Sequence, residues 1–418
     1  MAATLPAMER ITLKNGLEVV AIPLHNDTGV VSVNVYYRVG SRNETMGKSG
    51  LAHMLEHMSF KSTKNLKAGE YDRIVKGFGG ITNASTGFDF THYFIKSATP
   101  NIDKSLELFA ELMSGLSLKD EEFQPERNVV AEERRWRTDN SPIGSMYFSL
   151  FNNAFHHHPY HWTPIGFMGD IEGWSIDDVR QFYRSWYQPQ NAILLVAGDF
   201  EPKELFSLAK KRFEGLKNSG DLPKITASEP QQTGARRATL IKESEVEMLI
   251  ISWKIPPFDS ADIVPLNALS SLLTNGASSR LQEKLVDELQ LVNFVSAYPM
   301  DAKDTGLFVI IAACNTGVKA EAVEKVILDE IAAIGKKAPS TKEVEKVKTM
   351  TKAEFIYSLE SSDHIAGLFG DMLARGNIEP LLGYEAAVNA LEAKAIQNSV
   401  RSYLKSEFST TIILRKAD

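Results

Sequence analysis

The chain has 418 residues, which is too many for one ordinary hydrophobic core, so two to three domains are expected. Apolar residues make up 43% of the sequence and charged residues 24%, proportions typical of a soluble globular protein and not of a disordered chain. The formal net charge of −7 argues against a nucleic-acid-binding protein, and no apolar run is long enough to predict a membrane span.

The first fourteen residues bear on the compartment. They lack a basic start followed by an apolar core, so they do not form a secretory signal peptide as written. The expected compartment is therefore the cytoplasm. If a targeting peptide has been removed from a precursor, the expected compartment is the periplasm or an organellar matrix instead.

The strongest chemical motif lies at residues 53–57, where His-Met-Leu-Glu-His follows the pattern H-x-x-E-H. Residues four apart share one face of a helix, so His53 and His57 are placed to hold one metal ion. Two imidazoles and a carboxylate suit zinc, and Glu56 borders the same face, where it can take a proton from a zinc-activated water. The alternative is a helix that carries these residues by coincidence. Neighbouring apolar residues have the spacing of a packed helix: Leu51, Met54, Leu55 and Met58.

A third zinc ligand is expected from elsewhere in the chain, because catalytic zinc sites generally have three protein ligands. The candidate segment is the acidic run after Pro125, a residue that is well tolerated at a helix start. Glu126 and Glu133 are two helical turns apart and face one side, so one is predicted to bind zinc and the other to support the ligands. Spacing alone does not choose among Glu126, Glu132 and Glu133, and a solvated acidic helix face is the alternative.

A second group of histidines lies in the first half of the sequence. Residues 156–158 are three consecutive histidines, followed by His161. Consecutive side chains point in different directions and Pro159 interrupts the run, so no second metal site is predicted there. His92 and His364 are expected to be ordinary packed or surface residues.

The composition changes at residues 216–236, where Gly, Pro, Ser and other polar residues predict a linker. This divides the sequence into a zinc-bearing N-terminal domain, residues 1–215, and a C-terminal domain, residues 237–418. Strand-like runs alternate with long helical patterns, which favours an α+β fold in which each domain is a sheet with helices packed on one side.

The two halves of the sequence end in a similar way. A predicted helix at residues 178–187 leads to a strand at 193–196. Near the C-terminus, a predicted helix at 396–404 leads to a strand at 410–414. The repeat of this pattern indicates an internal duplication.

At the H-x-x-E-H motif and the acidic run after Pro125, the chain resembles the pitrilysin/insulinase family of inverted zinc metallopeptidases. It is most similar to the half-length branch that includes the β subunit of mitochondrial processing peptidase and many bacterial relatives. The resemblance extends over nearly the whole chain. Residues 11–20 resemble the family's opening hairpin, with an Asn-Gly pair at the turn. Residues 158–160 resemble a structural segment, and residues 191–199 resemble the last strand of the first domain.

The resemblance implies a set of site residues. The family's glutamate ligand follows the second histidine by about 76 residues, and here that position is Glu133. One Zn²⁺ per chain is thus implied, bound by His53, His57 and Glu133. The resemblance also implies two catalytic acids, with Glu56 as general base and Glu126 supporting the ligands from behind.

Residues 79–86 resemble the strand along which the family binds its substrate. The resemblance implies that an extended peptide adds alongside Asn83, Ala84 and Ser85 through backbone hydrogen bonds, a general mode of peptide recognition. Without the resemblance, a turn followed by an ordinary strand is the simpler interpretation of this segment.

One departure from the family concerns the second half. Family members with a complete site place an Arg and a Tyr, seven residues apart, where they contact substrate. In a gapless comparison, this chain has Asp287 and Phe294 at those positions. An aspartate is an anion and a phenylalanine has no hydroxyl, so neither replaces the original side chain. The chain therefore resembles catalytic subunits that form a dimer, either with a second copy or with a homologous, zinc-free, Arg/Tyr-bearing subunit.

The resemblance implies a zinc metalloendopeptidase that hydrolyses peptides or short unfolded segments enclosed in a dimer chamber. Each chain would form half of a clamshell from two homologous domains, each a mostly antiparallel sheet. The alternative from another class is a non-catalytic scaffold or assembly subunit of the same family. A third interpretation is a zinc hydrolase for a non-peptide substrate. The sequence leaves open the cleaved bonds, the physiological substrate and the choice between homodimer and heterodimer.

Overall fold

The structure is a computed structural model that describes residues 5–417. Residues 1–4, part of the N-terminal segment that is predicted not to be a signal peptide, and residue 418 lie outside the described residues. The described strands are β1 (Glu9–Thr12), β2 (Glu18–Pro23), β3 (Val30–Tyr37), β4 (Ile81–Thr86), β5 (Thr91–Ala98), β6 (Ala192–Gly198), β7 (Arg236–Lys242), β8 (Met248–Ile255), β9 (Val292–Met300), β10 (Gly306–Cys314) and β11 (Thr410–Lys416).

The described helices are α1 (Leu51–Ser59), α2 (Glu70–Gly77), α3 (Ile102–Gly115), α4 (Asp120–Arg134), α5 (Pro142–Ala154), α6 (Met168–Gly173), α7 (Ile176–Trp186), α8 (Pro202–Phe213), α9 (Ile263–Thr274), α10 (Ala320–Lys336), α11 (Thr341–Tyr357), α12 (Ser362–Arg375), α13 (Glu379–Leu382), α14 (Tyr384–Asn389) and α15 (Ala393–Tyr403). Two π-helical segments occur at Arg135–Asp139 and Gln282–Glu288. Across residues 5–417, no helix combines the length and the apolar character that crossing a membrane requires.

The chain folds as two compact units, each assembled from segments that are distant in sequence. The first unit comprises residues up to 134, 162–227 and 357–378. The second unit comprises residues 135–161, 228–356 and those from 379 onward. Residues 216–235, in the predicted linker, contain no helix or strand. The contiguous division into 1–215, 216–236 and 237–418 stays a prediction about the sequence domains.

The first unit contains a six-stranded sheet in the order β1-β2-β6-β3-β5-β4. The β2 and β6 strands are parallel and every other neighbouring pair is antiparallel. Alternate residues of β3, beginning at Val31, face a core formed with α1, α3, α4, α7 and α8, because successive strand residues point to opposite faces. The β4 strand lies at the edge of this sheet.

The opposite face of this sheet is covered by α12, a helix from the second half of the sequence. The hydroxyl of Tyr36 donates a hydrogen bond of 3.0 Å to the carbonyl of Ala366. A Cβ on Gly370 would lie 2.1 Å from Cζ of Tyr36, so only glycine allows this close approach. The first sheet thus has helices on both faces, whereas the prediction had helices on one side.

The second unit contains a five-stranded sheet in the order β7-β11-β8-β10-β9. The β7 and β11 strands are parallel and the other pairs are antiparallel. This order repeats β2-β6-β3-β5-β4, and α15 precedes β11 as α7 precedes β6. The predicted α+β class with two similar, mostly antiparallel sheets is therefore confirmed.

Candidate metal centre

The α1 helix carries the H-x-x-E-H motif, as predicted. Its apolar side chains are buried in the core of the first unit, whereas His53, Glu56 and His57 are only partly buried. The helix starts after Gly50, whose φ of 87° is left-handed and favours glycine. A Cβ at Gly50 would also lie 2.7 Å from the carbonyl oxygen of Ile165. The entry to the helix is thus fixed by its glycine, and its polar stripe faces the site.

Glu44 holds the N-terminus of α1, a role that the sequence analysis missed. Its side-chain oxygens accept hydrogen bonds of 2.8 Å each from the backbone N–H groups of Gly50 and Ala52 and from Nε1 of Trp162. Burial raises the pKa of Glu44 to about 8, although these three donors act in the opposite direction. No local pattern reveals this role, because Glu44 lies outside the usual capping positions and one of its partners is far away in sequence.

The α4 helix supplies the acidic residues of the site, but its predicted start at Pro125 is wrong. The helix begins at Asp120, and Pro125 lies inside it. Three acidic residues, Asp120 to Glu122, occupy the first turn, where the helix dipole favours negative charge. Glu126 and Glu133 are partly buried towards α1, whereas Glu132 is exposed. Glu132 is outside the group of side chains with metal-binding spacing.

Three side chains converge as metal ligands require. His53, His57 and Glu133 each offer one ligand atom, and these atoms all lie within 4.8 Å of one another. Oε2 of Glu133 is 3.8 Å from Nε2 of His53 and 3.3 Å from Nε2 of His57. In a tetrahedral zinc site with bonds of about 2.1 Å, ligand atoms are separated by about 3.4 Å. The spacing and chemistry of this donor set therefore fit zinc.

Glu126 contacts the ring nitrogen of His57 that does not face Glu133. Its Oε1 lies 2.8 Å from Nδ1 of His57, and its Oε2 lies 2.5 Å from Nζ of Lys61. Burial lowers the pKa of His57, but hydrogen bonds to Glu126 and Glu133 outweigh it and raise the pKa to about 9. Burial likewise raises the pKa of Glu126, while His57 and Lys61 lower it more. Two carboxylates thus surround one imidazole, a setting that attracts a cation.

Glu56 is connected to the edge strand β4. The hydroxyl of Thr86, the last residue of β4, donates a hydrogen bond of 2.5 Å to Oε2 of Glu56. Below the site, the hydroxyls of Tyr93 and Tyr187 lie 2.9 Å apart in the core. Burial raises the pKa of both tyrosines, and the charge of Glu56 adds to this effect. Both phenols are therefore neutral at ordinary pH.

The residues predicted to bind substrate lie on β4. This strand pairs with β5 and forms the edge of its sheet. Asn83 and Ser85 are exposed and Ala84 is partly buried, in the alternation expected of an edge strand with one face on a core. Substrate binding by these residues stays a prediction.

The hairpin that joins β4 to β5 fixes which β4 backbone groups face outward. The N–H of Gly87 donates to the carbonyl of Phe90, which makes these two residues a hydrogen-bonded pair. Antiparallel partners alternate between hydrogen-bonded and non-hydrogen-bonded pairs. By this alternation, the backbone groups of Thr86 and Ala84 point away from β5, towards the edge of the sheet.

The positions that differ from the family lie in the second unit. Asp287 belongs to the π-helical segment and is exposed, and Phe294 lies on the edge strand β9 with 48% of its surface exposed. An exposed anion and an exposed phenyl ring thus stand where the resemblance places an arginine and a tyrosine.

Three other histidines have ordinary packing or surface positions. Nε2 of the buried His158 lies 2.9 Å from Oδ2 of Asp304. His92 stacks on Tyr36 with ring centroids 4.2 Å apart, and His364 is exposed. Within residues 5–417, the one group of acidic, histidine or cysteine side chains with metal-binding spacing is the group on α1 and α4.

Two family profiles match this chain. The profile described as Insulinase (Peptidase family M16) matches residues 19–160, the part that contains all three candidate ligands. The profile described as Peptidase M16 inactive domain matches residues 173–351. The similarity thus extends over both halves of the sequence.

Individual relatives agree with these profiles. The chain is 51% identical to the zinc protease PqqE of Helicobacter pylori, over 98% of this chain and 93% of that protein. It is 28% identical to a probable β subunit of mitochondrial processing peptidase from Schizosaccharomyces pombe, over 88% and 82% of the respective chains. A crystal structure of a protease from Helicobacter pylori, 51% identical, superposes with a TM-score of 0.96 over 99% of this chain and all of that chain. By sequence and by fold, the chain belongs to peptidase family M16.

Proposed function

We propose that this chain is a zinc-dependent metalloendopeptidase that hydrolyses peptides or short unfolded segments. The observation that carries the proposal is the convergence of His53, His57 and Glu133, with Glu56 on the same helix. The name of the 51% identical relative, a zinc protease, supports it. A zinc ion bound by these three residues would polarise the scissile carbonyl and lower the pKa of a water molecule.

In the proposed mechanism, the protein's own residues bind, orient and move protons. Glu56 takes the proton from the attacking water and passes it to the leaving amine, as a general base that becomes an acid. Glu126 keeps the ring of His57 in the orientation that turns Nε2 towards Glu133. The edge of β4 at Asn83–Ser85 would hold the peptide in an extended conformation by adding it as a further strand.

We further propose that the active form is a dimer, either of two copies or with a homologous zinc-free subunit. Exposed Asp287 and Phe294 support this, since neither supplies the guanidinium or hydroxyl that the family uses on substrate. The native mass and the composition of the protein purified from its source cells would distinguish a homodimer from a heterodimer.

The central experiment replaces Glu56 with Gln and measures hydrolysis of an internally quenched peptide together with zinc content. The expected result is loss of hydrolysis with zinc retained, because glutamine preserves the shape of the side chain but cannot accept the proton. Glu132→Gln, an exposed position on α4, is the control and should remain active. Full activity of the Glu56→Gln variant would refute the mechanism.

The second candidate is a non-catalytic scaffold or assembly subunit. The profile match to an inactive domain and the substitution of Asp287 and Phe294 favour it, since a site that lacks contacts can bind without turnover. A protein that binds zinc and peptide but cleaves nothing, alone or with its co-purified partner, would support this candidate. Cleavage of a non-peptide substrate in a broad screen would support a different zinc hydrolase.

A further inference from the structure

We propose that Thr86 is a positioning residue for the general base, linking the orientation of Glu56 to the strand on which the peptide would bind. The inference rests on the proposed function, because it assigns a residue to that same reaction. It starts from the hydrogen bond of 2.5 Å between the Thr86 hydroxyl and Oε2 of Glu56.

The strength of this contact comes from the charge of the acceptor. A hydroxyl that donates to a carboxylate forms a charge-assisted hydrogen bond, which is shorter and stronger than one between neutral groups. Both side chains are only partly buried, so water would compete for the carboxylate if the hydroxyl were absent. The bond thus selects one orientation of a carboxyl group that otherwise rotates broadly.

Threonine at this position holds the hydroxyl more firmly than serine would. A β-branched side chain on a strand has a restricted χ1, so its hydroxyl is held in place before substrate arrives. Serine can make the same bond but has more rotamer freedom, whereas valine has the same shape and no donor. These differences give a graded series of substitutions at one position.

Thr86 lies between the edge of the sheet and the proposed general base. Thr86 ends β4, and the alternation set by the Gly87–Phe90 pair turns its backbone towards the edge of the sheet. The residue therefore presents its backbone to the proposed peptide and its side chain to Glu56. A peptide bound along Asn83–Ser85 would be held in register with the general base through this single residue.

The test compares Thr86→Val with Thr86→Ser by kinetics and zinc analysis. Thr86→Val is expected to lower kcat roughly 10- to 100-fold, the loss typical of a hydrogen bond to a charged group. KM should stay within about threefold, because the bond acts on the reacting groups and not on substrate affinity. Zinc content should remain one ion per chain. Thr86→Ser should recover most of the lost kcat.

Thr91→Val is the matched control. Thr91 is the cross-strand partner of Thr86 on β5, and its hydroxyl donates to the carbonyl of Val39, not to Glu56. The control is expected to lower the melting temperature while kcat is retained. An equal loss of kcat in Thr91→Val would overturn the proposal, because it would reduce the role of Thr86 to hairpin stability.

A double-mutant cycle adds a readout that does not depend on turnover. If Thr86 acts only on the orientation of Glu56, adding Thr86→Val to the inactive Glu56→Gln protein should leave its zinc content unchanged. The affinity of the inactive Glu56→Gln protein for the intact peptide should also be unchanged by Thr86→Val. Weaker peptide binding or loss of zinc in the double variant would overturn the positioning role.

The outcomes separate this inference from the proposed function. If the wild-type protein cleaves peptide and Thr86→Val keeps its kcat, the positioning role fails and the peptidase stands. If the wild-type protein binds zinc but cleaves nothing, with or without its co-purified partner, both proposals fall together.

Discussion

Nδ1 of His57 lies 2.8 Å from Oε1 of Glu126, and the other ring nitrogen, Nε2, faces the candidate ligand Glu133. When Nδ1–H donates to the carboxylate, Nε2 carries a lone pair and points towards Glu133, 3.3 Å away. Histidine ligands of metals commonly have such a partner, which fixes the tautomer and raises the basicity of the ring. The contact therefore predicts that Glu126, which is not one of the three candidate ligands, affects the affinity of the site for zinc.

Glu126→Gln is expected to weaken zinc binding by about 10- to 100-fold, the usual effect of removing such a partner. The charge that polarises His57 is lost, although the protein should still fold. Competition with a chelator of known affinity measures the change. Glu122→Gln is the control on the same helix, because Glu122 accepts from Ser62 and not from His57. Unchanged affinity in Glu126→Gln would contradict the assignment.

Glu133→Gln is expected to remove zinc almost completely, since a neutral amide replaces an anionic ligand. Elemental analysis after dialysis would measure the metal content of the variant. The adjacent Glu132→Gln should bind zinc as the wild type does, because its side chain is exposed. If Glu132→Gln lost the metal and Glu133→Gln kept it, the ligand assignment would be wrong.

The contrast between Glu132 and Glu133 illustrates how far the sequence alone could go. The period of a helix placed Glu126 and Glu133 on one side, and the structure has both facing α1. Spacing alone left Glu126, Glu132 and Glu133 open, and the resemblance to the family, not the helix period, selected Glu133. The predicted start of α4 at Pro125 is wrong because proline is also tolerated within the first turns of a helix. The acidic residues at 120–122, which favour a helix N-terminus, are the better signal for the start.

Features that depend on distant segments could not be predicted from the sequence. Glu44 contacts Trp162, and Tyr36 contacts Ala366, and neither pair leaves a local pattern. The alternation of side chains along a strand indicates which residues share a face of the sheet, but not which helix covers that face. Local periodicity thus predicted the helices and strands and the two histidine ligands on α1. The packing of α12 on the opposite face of the first sheet depends on tertiary contacts.

The contact between α12 and the first sheet predicts the effect of a small substitution. Gly370→Ala should destabilise the protein by about 1–3 kcal/mol, the range for overpacking in a tight interior. The reason is that the added Cβ would lie 2.1 Å from the ring of Tyr36, and either the ring or the helix must move. Thermal unfolding monitored by circular dichroism would measure the change.

Gly367→Ala is the matched control for this prediction. It lies one turn earlier in α12, and an added Cβ would meet no atom within 4 Å. Because alanine has a higher helix propensity than glycine, Gly367→Ala should stabilise by up to about 1 kcal/mol. A similar destabilisation in both variants would show that the close approach of Gly370 to Tyr36 is not the cause.

Glu229 is expected to make the second unit sensitive to acid. Its side chain is 4% exposed, accepts hydrogen bonds from three consecutive backbone N–H groups at residues 156–158, and pairs with Lys254 at 2.7 Å. Burial raises the pKa of Glu229, but Lys254 and the backbone donors outweigh it and lower the pKa to about 2. The folded state therefore favours the ionised form more strongly than the unfolded state does.

The sign of the pH dependence follows from this shift. Because the folded pKa is depressed, the stabilisation is fully present above the unfolded pKa of about 4.3 and disappears as the pH falls towards 2. Glu229→Gln should thus be less stable than wild type at pH 7 by about 2–3 kcal/mol, and the difference should shrink below about pH 4. Urea unfolding at a series of pH values measures this difference.

Glu345→Gln, a control with a side chain 64% exposed, should follow the wild-type profile. A difference between Glu229→Gln and wild type that is the same at every pH would show that the contribution of Glu229 is packing, with no linkage to its ionisation.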